Sequence, residues 1–209
     1  MYNSVNEYYK EKYKSKVYKL SIIGTTTCPN RDGKAGFGGC IFCSDKGSGE
    51  FAEGKSSSIA EQLKKAKSRV FKKIKEGKYI AYFQSFTNTY GDINYLKNIF
   101  YQAIKPDDIV GLAIGTRPDC LDDDIIQMLS EINKIKPVTI ELGLQTIHDE
   151  TAEYINRCYK TSVFDDAVAR LKKENLEVVV HMIIGLPFET KEMIIETARH
   201  IGRSGADGI

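Results

Sequence analysis

A chain of 209 residues is long enough for one large domain with its own core, and 42% hydrophobic with 28% charged residues is ordinary for a globular protein. A formal net charge of +2 creates no strong global field toward nucleic acid or membrane. The polar start MYNSVNEYYKEKYKSK has no apolar signal-peptide core, the longest strongly apolar run (LEVVVHMIIGL) is too short to span a bilayer, and no lipidation signal is visible, so a cytoplasmic protein without a membrane partner is expected.

Residues 1–16 read as an N-terminal extension. Its tyrosines, Tyr2, Tyr8, Tyr9 and Tyr13, suit the apolar face of a helix or a surface for stacking on bases. Val17 to Ile23 is predicted as a strand, and a glycine-rich segment, 27–51, follows. Ile59, Leu63, Ala66, Val70 and Ile74 then form one stripe of a helix from Ile59 to Lys75, with Ser56 to Ser58 available to cap it. Tyr79 to Phe83 is the next strand and Asn94 to Ala103 the next helix. A buried strand over Ile109 to Ile114 precedes a helix capped by Asp122 and carrying Ile125, Ile126, Leu129 and Ile132. Val138 to Leu144 reads as a strand, then Asp149 to Ile155 and Val163 to Glu174 as helical pieces. Val178 to Ile184 is the fifth strand, Lys191 to Arg203 the last helix, and a sixth strand begins at Asp207.

Five β–α pairs with apolar rather than alternating strands point to a parallel sheet covered by helices. The right-handed crossover rule leaves a barrel or a doubly wound open sheet. With the sixth strand cut off soon after Asp207, 1–209 is expected to be one domain and the N-terminal part of a longer chain. Polar and glycine residues follow each strand: the segment after the first, Gln84 to Tyr90, Gly115 to Asp119, Glu141 to Thr146, and Gly185 to Thr190. Loops at the C-terminal ends of barrel strands are where sites are built.

The stretch TCPNRDGKAGFGGCIFCSDKGSGEF holds Cys28, Cys40 and Cys43. In a reducing compartment such a cluster reads as a metal site before it reads as disulfides. A structural zinc wants four ligands, and only Cys120, Cys158, His148, His181 or His200 could complete it as Cys or His. Three thiolates on an iron–sulfur cubane leave one iron free to bind a small molecule through oxygen and nitrogen.

The run CPNRDGKAGFGGCIFC resembles the radical S-adenosylmethionine (SAM) superfamily, with a spacing wider than its usual C-x3-C-x2-C. It is similar to the YhcC/YtqA-type proteins, relatives of the radical SAM domain of the Elongator catalytic subunit. GTRPDCL, ELGLQT and GLPFET match in the same order, so the resemblance covers almost the whole chain. It implies an α/β fold, a partial (β/α)6 TIM-like barrel truncated near the start of the sixth strand. It also implies a [4Fe-4S] cluster, SAM as cofactor, cleavage of SAM to a 5′-deoxyadenosyl radical, and a reductase, flavodoxin or ferredoxin as electron donor. Carried over by position, Cys28, Cys40 and Cys43 are the cluster ligands, and Phe42 packs near the adenine. Gln84 and Ser85 stand where relatives bind the methionine amino group, although the usual Gly-Gly-Glu is absent. Glu141 and Gln145 stand where fourth-strand polar groups approach SAM. Ile183 and Gly185 match the end of a glycine–isoleucine–glycine motif whose first glycine is His181 here. The Elongator relationship implies tRNA as partner and the wobble-uridine side chain as substrate. A small-molecule or protein substrate, or a non-catalytic metal-stabilised RNA-binding or partner-binding module, stays open beside it.

Other residues carry two readings at this point. Glu141 in an apolar strand must find partners, which favours a catalytic place. Arg117 is an exposed loop arginine or a binder of phosphate or carboxylate at the site mouth. His181 is a barrel-lining or a catalytic histidine. Cys120 and Cys158 read as small buried apolar groups. Lys64, Lys65, Lys67, Arg69, Lys72, Lys73, Lys75 and Lys78 make a basic helix that is a solvated face or an RNA contact.

Overall fold

Five parallel strands, hydrogen-bonded in the order in which they occur, carry the fold. The structure is a computed structural model and describes residues 3–47, 58–71 and 77–209. The strands are β1 (Val17–Ile22), β2 (Lys78–Phe83), β3 (Ile109–Thr116), β4 (Val138–Gln145) and β5 (Glu177–Met182). A doubly wound sheet reverses its strand order at a switch point, and this one never does. The architecture is therefore barrel-like α/β, with the sheet not closed among the described residues. The predicted sixth strand has a trace: Val180 N–H donates to the Gly208 carbonyl at 2.9 Å and Asp207 N–H to that of Val178 at 2.8 Å, in parallel register beside β5.

The helices are α1 (Val5–Tyr13), α2 (Ile59–Phe71), α3 (Ile93–Ile104), α4 (Asp123–Asn133), α5 (Asp149–Tyr154), α6 (Thr161–Lys173) and α7 (Lys191–Arg203). Their starts are set by side chains that take up orphan N–H groups. Ser58 and Glu61 form a reciprocal box at α2, and Asp122 accepts from Ile125 N–H at 2.9 Å at α4. Asp92 accepts from Tyr95 N–H at 2.8 Å at α3. Asp92→Ala should lower stability by about 1 kcal/mol, read as a lower urea midpoint at unchanged slope; an unmoved midpoint would refute the cap's contribution. Residues 72–75, the predicted end of α2, lie outside the described residues. The fifth strand stops at Met182 rather than Ile184.

Alternate residues of each strand face opposite sides. Leu20, Ile22, Ala81, Phe83, Leu112, Ile114, Ile140, Leu142, Val178 and Val180 face the helices and form the main core. The other face forms the lumen. There the expectation of wholly apolar strands fails: Lys19, Glu141 and His181 sit in alternation with the core set. Local periodicity hid them because a short strand flanked by apolar neighbours reads as buried on both sides. Helix α1 closes the base of this lumen. Tyr9 packs with Val17, Ile80, Tyr82 and Ala113, while Tyr8 Oη donates to Glu177 on β5 at 2.8 Å. The tyrosines Tyr8, Tyr9 and Tyr13 thus act as the packed face of a helix; Tyr2 lies outside the described residues. No helix among the described residues is long and apolar enough to cross a membrane.

Candidate functional site

The cysteine loop leaves β1 and folds over the C-terminal end of the sheet. Its backbone is tied by Arg31 N–H to the Cys28 carbonyl (2.8 Å), Gly39 N–H to that of Asn30 (2.8 Å) and Cys43 N–H to that of Cys40 (3.0 Å). Gly39 has φ +80°, and a Cβ there would stand 2.9 Å from Arg31 Nε, so only glycine suits the turn. The Asn156 amide donates to the carbonyls of Phe37 (3.0 Å) and Gly39 (2.8 Å), anchoring the loop to the segment after α5.

Cys28, Cys40 and Cys43 are half-buried cysteines on one cleft of about 210 Å³. Phe42, Gln84, Arg117, Glu141, Gln145 and His181 line the same cleft, joined by Tyr82, Arg157 and Tyr159. Five strand ends therefore meet at one place. Three other predicted residues do not line it. Ser85 is fully buried behind Gln84, Ile183 is half-buried after β5, and Gly185 is exposed with φ +87°. The loop that holds Gln84 is pinned by Asn88, a buried residue that sequence reasoning missed. Its amide donates to the carbonyls of Phe83, Ser85 and Gly115 at 3.0, 3.0 and 3.1 Å. An asparagine a few residues past a strand end gives no signal of this kind in a single sequence.

Backbone strain gathers here. Seven described non-glycine residues have positive φ; Lys14 and Asn175 end helices, and Phe86, Gln145, Asn156, Cys158 and Phe188 lie on the loops above the strand ends. Such conformations persist where surrounding structure holds them, typically at functional sites. At Gln145 the register of β4 against β5 shifts, a bulge that re-aims the side chain at the strand end.

Glu141 is 4% exposed, and its carboxylate is held on several sides. Lys19 from β1 pairs with one oxygen, His181 Nε2 from β5 stands 3.0 Å from the other, and Tyr82 from β2 also donates. Burial alone would push this carboxyl up. His181, Lys19 and Tyr82 together more than reverse that and bring it down to about 2, so it is ionised. The carboxylate ties strands β1, β2, β4 and β5 across the lumen. His181 is the solvent-facing member, its side chain half exposed.

Arg117 is not an exposed loop arginine. It is 8% exposed and grips Asp119 with both ends of its fork (Nε–Oδ1 2.9 Å, Nη2–Oδ2 2.7 Å). Burial disfavours its charge, but Asp119 outweighs that and raises its pKa. Arg157, also missed in the sequence, is fully buried. Its N–H groups go to the carbonyls of Leu144, Thr146 and Tyr159 and to the Thr161 hydroxyl, with no carboxylate in contact. Burial lowers its pKa. Both guanidinium groups lie against the Tyr159 ring, at 4.9 Å and 4.5 Å.

Do these residues fit an iron–sulfur cluster? The donor set is three soft thiols in a wall containing three arginines, Arg31, Arg117 and Arg157. Burial pushes the Cys40 thiol up, while the Asn30 amide, 3.4 Å from its sulfur, and the Arg117 cation pull it back toward thiolate. Asn30 Oδ1 and Ser85 Oγ are buried and have no partner among the described residues. Among those residues no three Cys, His, Asp or Glu side chains converge as ligands of a single ion would. A cubane does not require that, since each thiolate takes a different iron. The set fits. The other candidate ligands are engaged elsewhere: His200 Nε2 is 2.7 Å from Asp165, and His148 Nε2 is 3.0 Å from the Met193 carbonyl. Cys120 is half-buried, and burial, then Asp119, push its thiol up to about 12. Cys158, expected to be buried, is exposed, because its left-handed backbone turns it out beside Asn156.

The family model described as the radical SAM superfamily matches residues 22–201. YtqA of Bacillus subtilis is 42% identical over 208 residues, covering 100% of this chain and 65% of YtqA. YhcC of Escherichia coli K12 is 38% identical over 199 residues, covering 95% of this chain and 63% of YhcC. The chain thus spans somewhat under two thirds of the length of these relatives. A tRNA uridine(34) acetyltransferase of Methanocaldococcus jannaschii is 38% identical over 85 residues, 40% of this chain and 15% of the relative. Among solved structures, the Elp3 of Methanocaldococcus infernus superposes with a TM-score of 0.63 at 18% identity, covering 90% of this chain and 42% of that one. Coproporphyrinogen III oxidase (HemN) from Escherichia coli, a radical SAM enzyme, superposes with a TM-score of 0.60 at 14% identity, over 98% and 46% of the two chains.

Proposed function

The chain belongs to the radical SAM superfamily, and from that premise we propose that Cys28, Cys40 and Cys43 hold a [4Fe-4S] cluster in the cleft where the cofactor SAM binds. The observation that carries the reading is the meeting of the three thiols with Phe42, Gln84, Glu141 and Gln145 on one cleft above the strand ends. The reduced cluster, when bound, supplies the electron for reductive cleavage of SAM. The chain's own residues do the rest. Phe42 offers apolar contact for the adenine, while Ile183 and Gly185 are carried to the same role by their place in the family motif alone. Gln84 and Gln145 offer amide groups for the polar parts of SAM, with Ser85 supporting from behind. Glu141, ionised and tied to Lys19, orients His181 toward the cleft. Arg31, Arg117 and Arg157 line the wall with positive charge.

Activity would be tested anaerobically on the longest available version of the chain. Iron and sulfide are reconstituted, the protein is reduced, and 5′-deoxyadenosine is assayed with SAM. Product supports the reading; tight zinc with no iron uptake sinks it.

We assign tRNA as the substrate, at the side chain of the wobble uridine, with a reductase, flavodoxin or ferredoxin as electron donor in a reducing cytoplasm. The shorter match to a tRNA uridine(34) acetyltransferase and the basic composition of 64–78 support this. Lys72, Lys73 and Lys75 lie outside the described residues. Replacing all three with glutamine should lower the slope of log affinity for tRNA against log salt by about 2–3. An unchanged slope in a filter-binding series would turn the search to small-molecule or protein substrates.

A further inference from the structure

We infer that Arg157 raises the reduction potential of the cluster, acting as a positioned charge rather than as a ligand. The inference rests on the cluster assignment above. Four buried or half-buried cations line or approach the cleft: Lys19, Arg31, Arg117 and Arg157, of which Arg31 is partly exposed and bonded to the Cys43 and Ser44 carbonyls. Two are neutralised. Lys19 is paired with Glu141, and Arg117 holds Asp119 through two hydrogen bonds. Arg157 is 0% exposed, and no carboxylate bonds to it among the described residues; Asp149 acts on its charge without a hydrogen bond.

Its N–H groups are already satisfied by backbone carbonyls at the end of β4 and at Tyr159, and by Thr161. It is therefore not poised to grip an incoming anion. A neutral donor could make some of those bonds. A full charge in a wall shielded from water is costly unless something negative stands nearby. The negative group this site would hold is the cluster itself. A cubane core on three thiolates is anionic, and reduction adds one more electron to it. In a low-dielectric wall a fixed positive charge stabilises the more negative state most. Burial, charge and hydrogen bonding to the protein are the levers that set such potentials. Arg157 supplies charge, and the Tyr159 ring holds its guanidinium plane in place.

The test is a potentiometric titration of the reconstituted full chain without SAM, followed by the electron paramagnetic resonance signal of the reduced cluster. Wild type, Arg157→Lys, Arg157→Gln and Asp119→Asn are compared. Arg157→Gln should have a lower midpoint potential than wild type, and Arg157→Lys should stay close to it. Asp119→Asn strips Arg117 of its counter-charge and should raise the midpoint. Arg157→Met, with the same lower midpoint expected, stands in for Arg157→Gln if that variant does not fold. Equal midpoints for all four proteins, or a fall in Arg157→Lys as large as in Arg157→Gln, would overturn the charge role. A wild-type chain that forms no cluster would overturn the functional reading and this inference with it; a cluster with unmoved midpoints overturns only the inference.

Discussion

Cys40→Ala should abolish the iron–sulfur absorption of the reconstituted protein and reduce 5′-deoxyadenosine formation to background. Cys40 is one of three proposed ligands, and a cubane deprived of one thiolate has a second open iron. The loss should exceed the ~10–100-fold that removing an outer-shell partner costs at a metal site. The fold should survive. Cys40 is held through its backbone, whose carbonyl accepts from Cys43 N–H, and that bond does not need the sulfur. Thermal unfolding of the metal-free variant should thus match that of the metal-free wild type. Cys28→Ala and Cys43→Ala should behave alike. Cys120→Ala is the control, because burial and Asp119 keep that thiol protonated at neutral pH, and it should retain the cluster. A Cys40→Ala protein that still carries a full cluster and makes product would remove the cysteine assignment. Retention in Cys40→Ala with loss in Cys120→Ala would move the ligand to that position.

The second large effect is on stability in acid. Glu141 ionises at about 2 in the folded chain against an ordinary value of 4.5. Its folded pKa is depressed, so its contribution is complete above about 4.5 and is lost as pH falls toward 2. The size is on the order of 3 kcal/mol, a large share of a typical domain's stability. The sign follows from the partners: Lys19, His181 and Tyr82 favour the carboxylate, and protonation makes those contacts ordinary hydrogen bonds. Urea unfolding across this pH window should show the loss in wild type and a flatter dependence in Glu141→Gln. Lys19→Met should move the loss to higher pH, because one of the groups holding the carboxylate ionised is gone. Parallel pH dependence in wild type and Glu141→Gln would show that the buried carboxylate is not what acid attacks.

These two experiments probe features of different legibility. The cysteine trio could be read from a single line of text, because ligand spacing is local and few chemistries use three thiolates. The β–α rhythm was equally legible. Helix stripes at Ile59, Leu63 and Ala66, capping by Ser58 and Asp122, and apolar strands all follow from short-range physics, and each appears where the sequence placed it within a few residues. The choice between barrel and doubly wound sheet was not local. It depended on β1 pairing with β2 and on each later strand adding to the same edge, which is a matter of long-range register.

Side-chain neighbourhoods were decided by tertiary structure in the same way. Glu141 read as a carboxylate in need of partners, but that Lys19 and His181 supply them depends on three strands bringing their inward faces together, Lys19 and Glu141 being 122 positions apart in sequence. Arg117 read either as an exposed loop arginine or as a binder at the site mouth; the turn into Pro118 carries its guanidinium back onto Asp119 and Tyr159. Arg157 left no mark in the sequence, since a single arginine in NRCYK is indistinguishable from a solvated one until left-handed turns at Asn156 and Cys158 fold it beneath the site. Residue type and spacing determine which chemistry the chain can carry. The environment that charges, buries or orients each group is set by contacts distant in sequence, and those exist only once the sheet has formed.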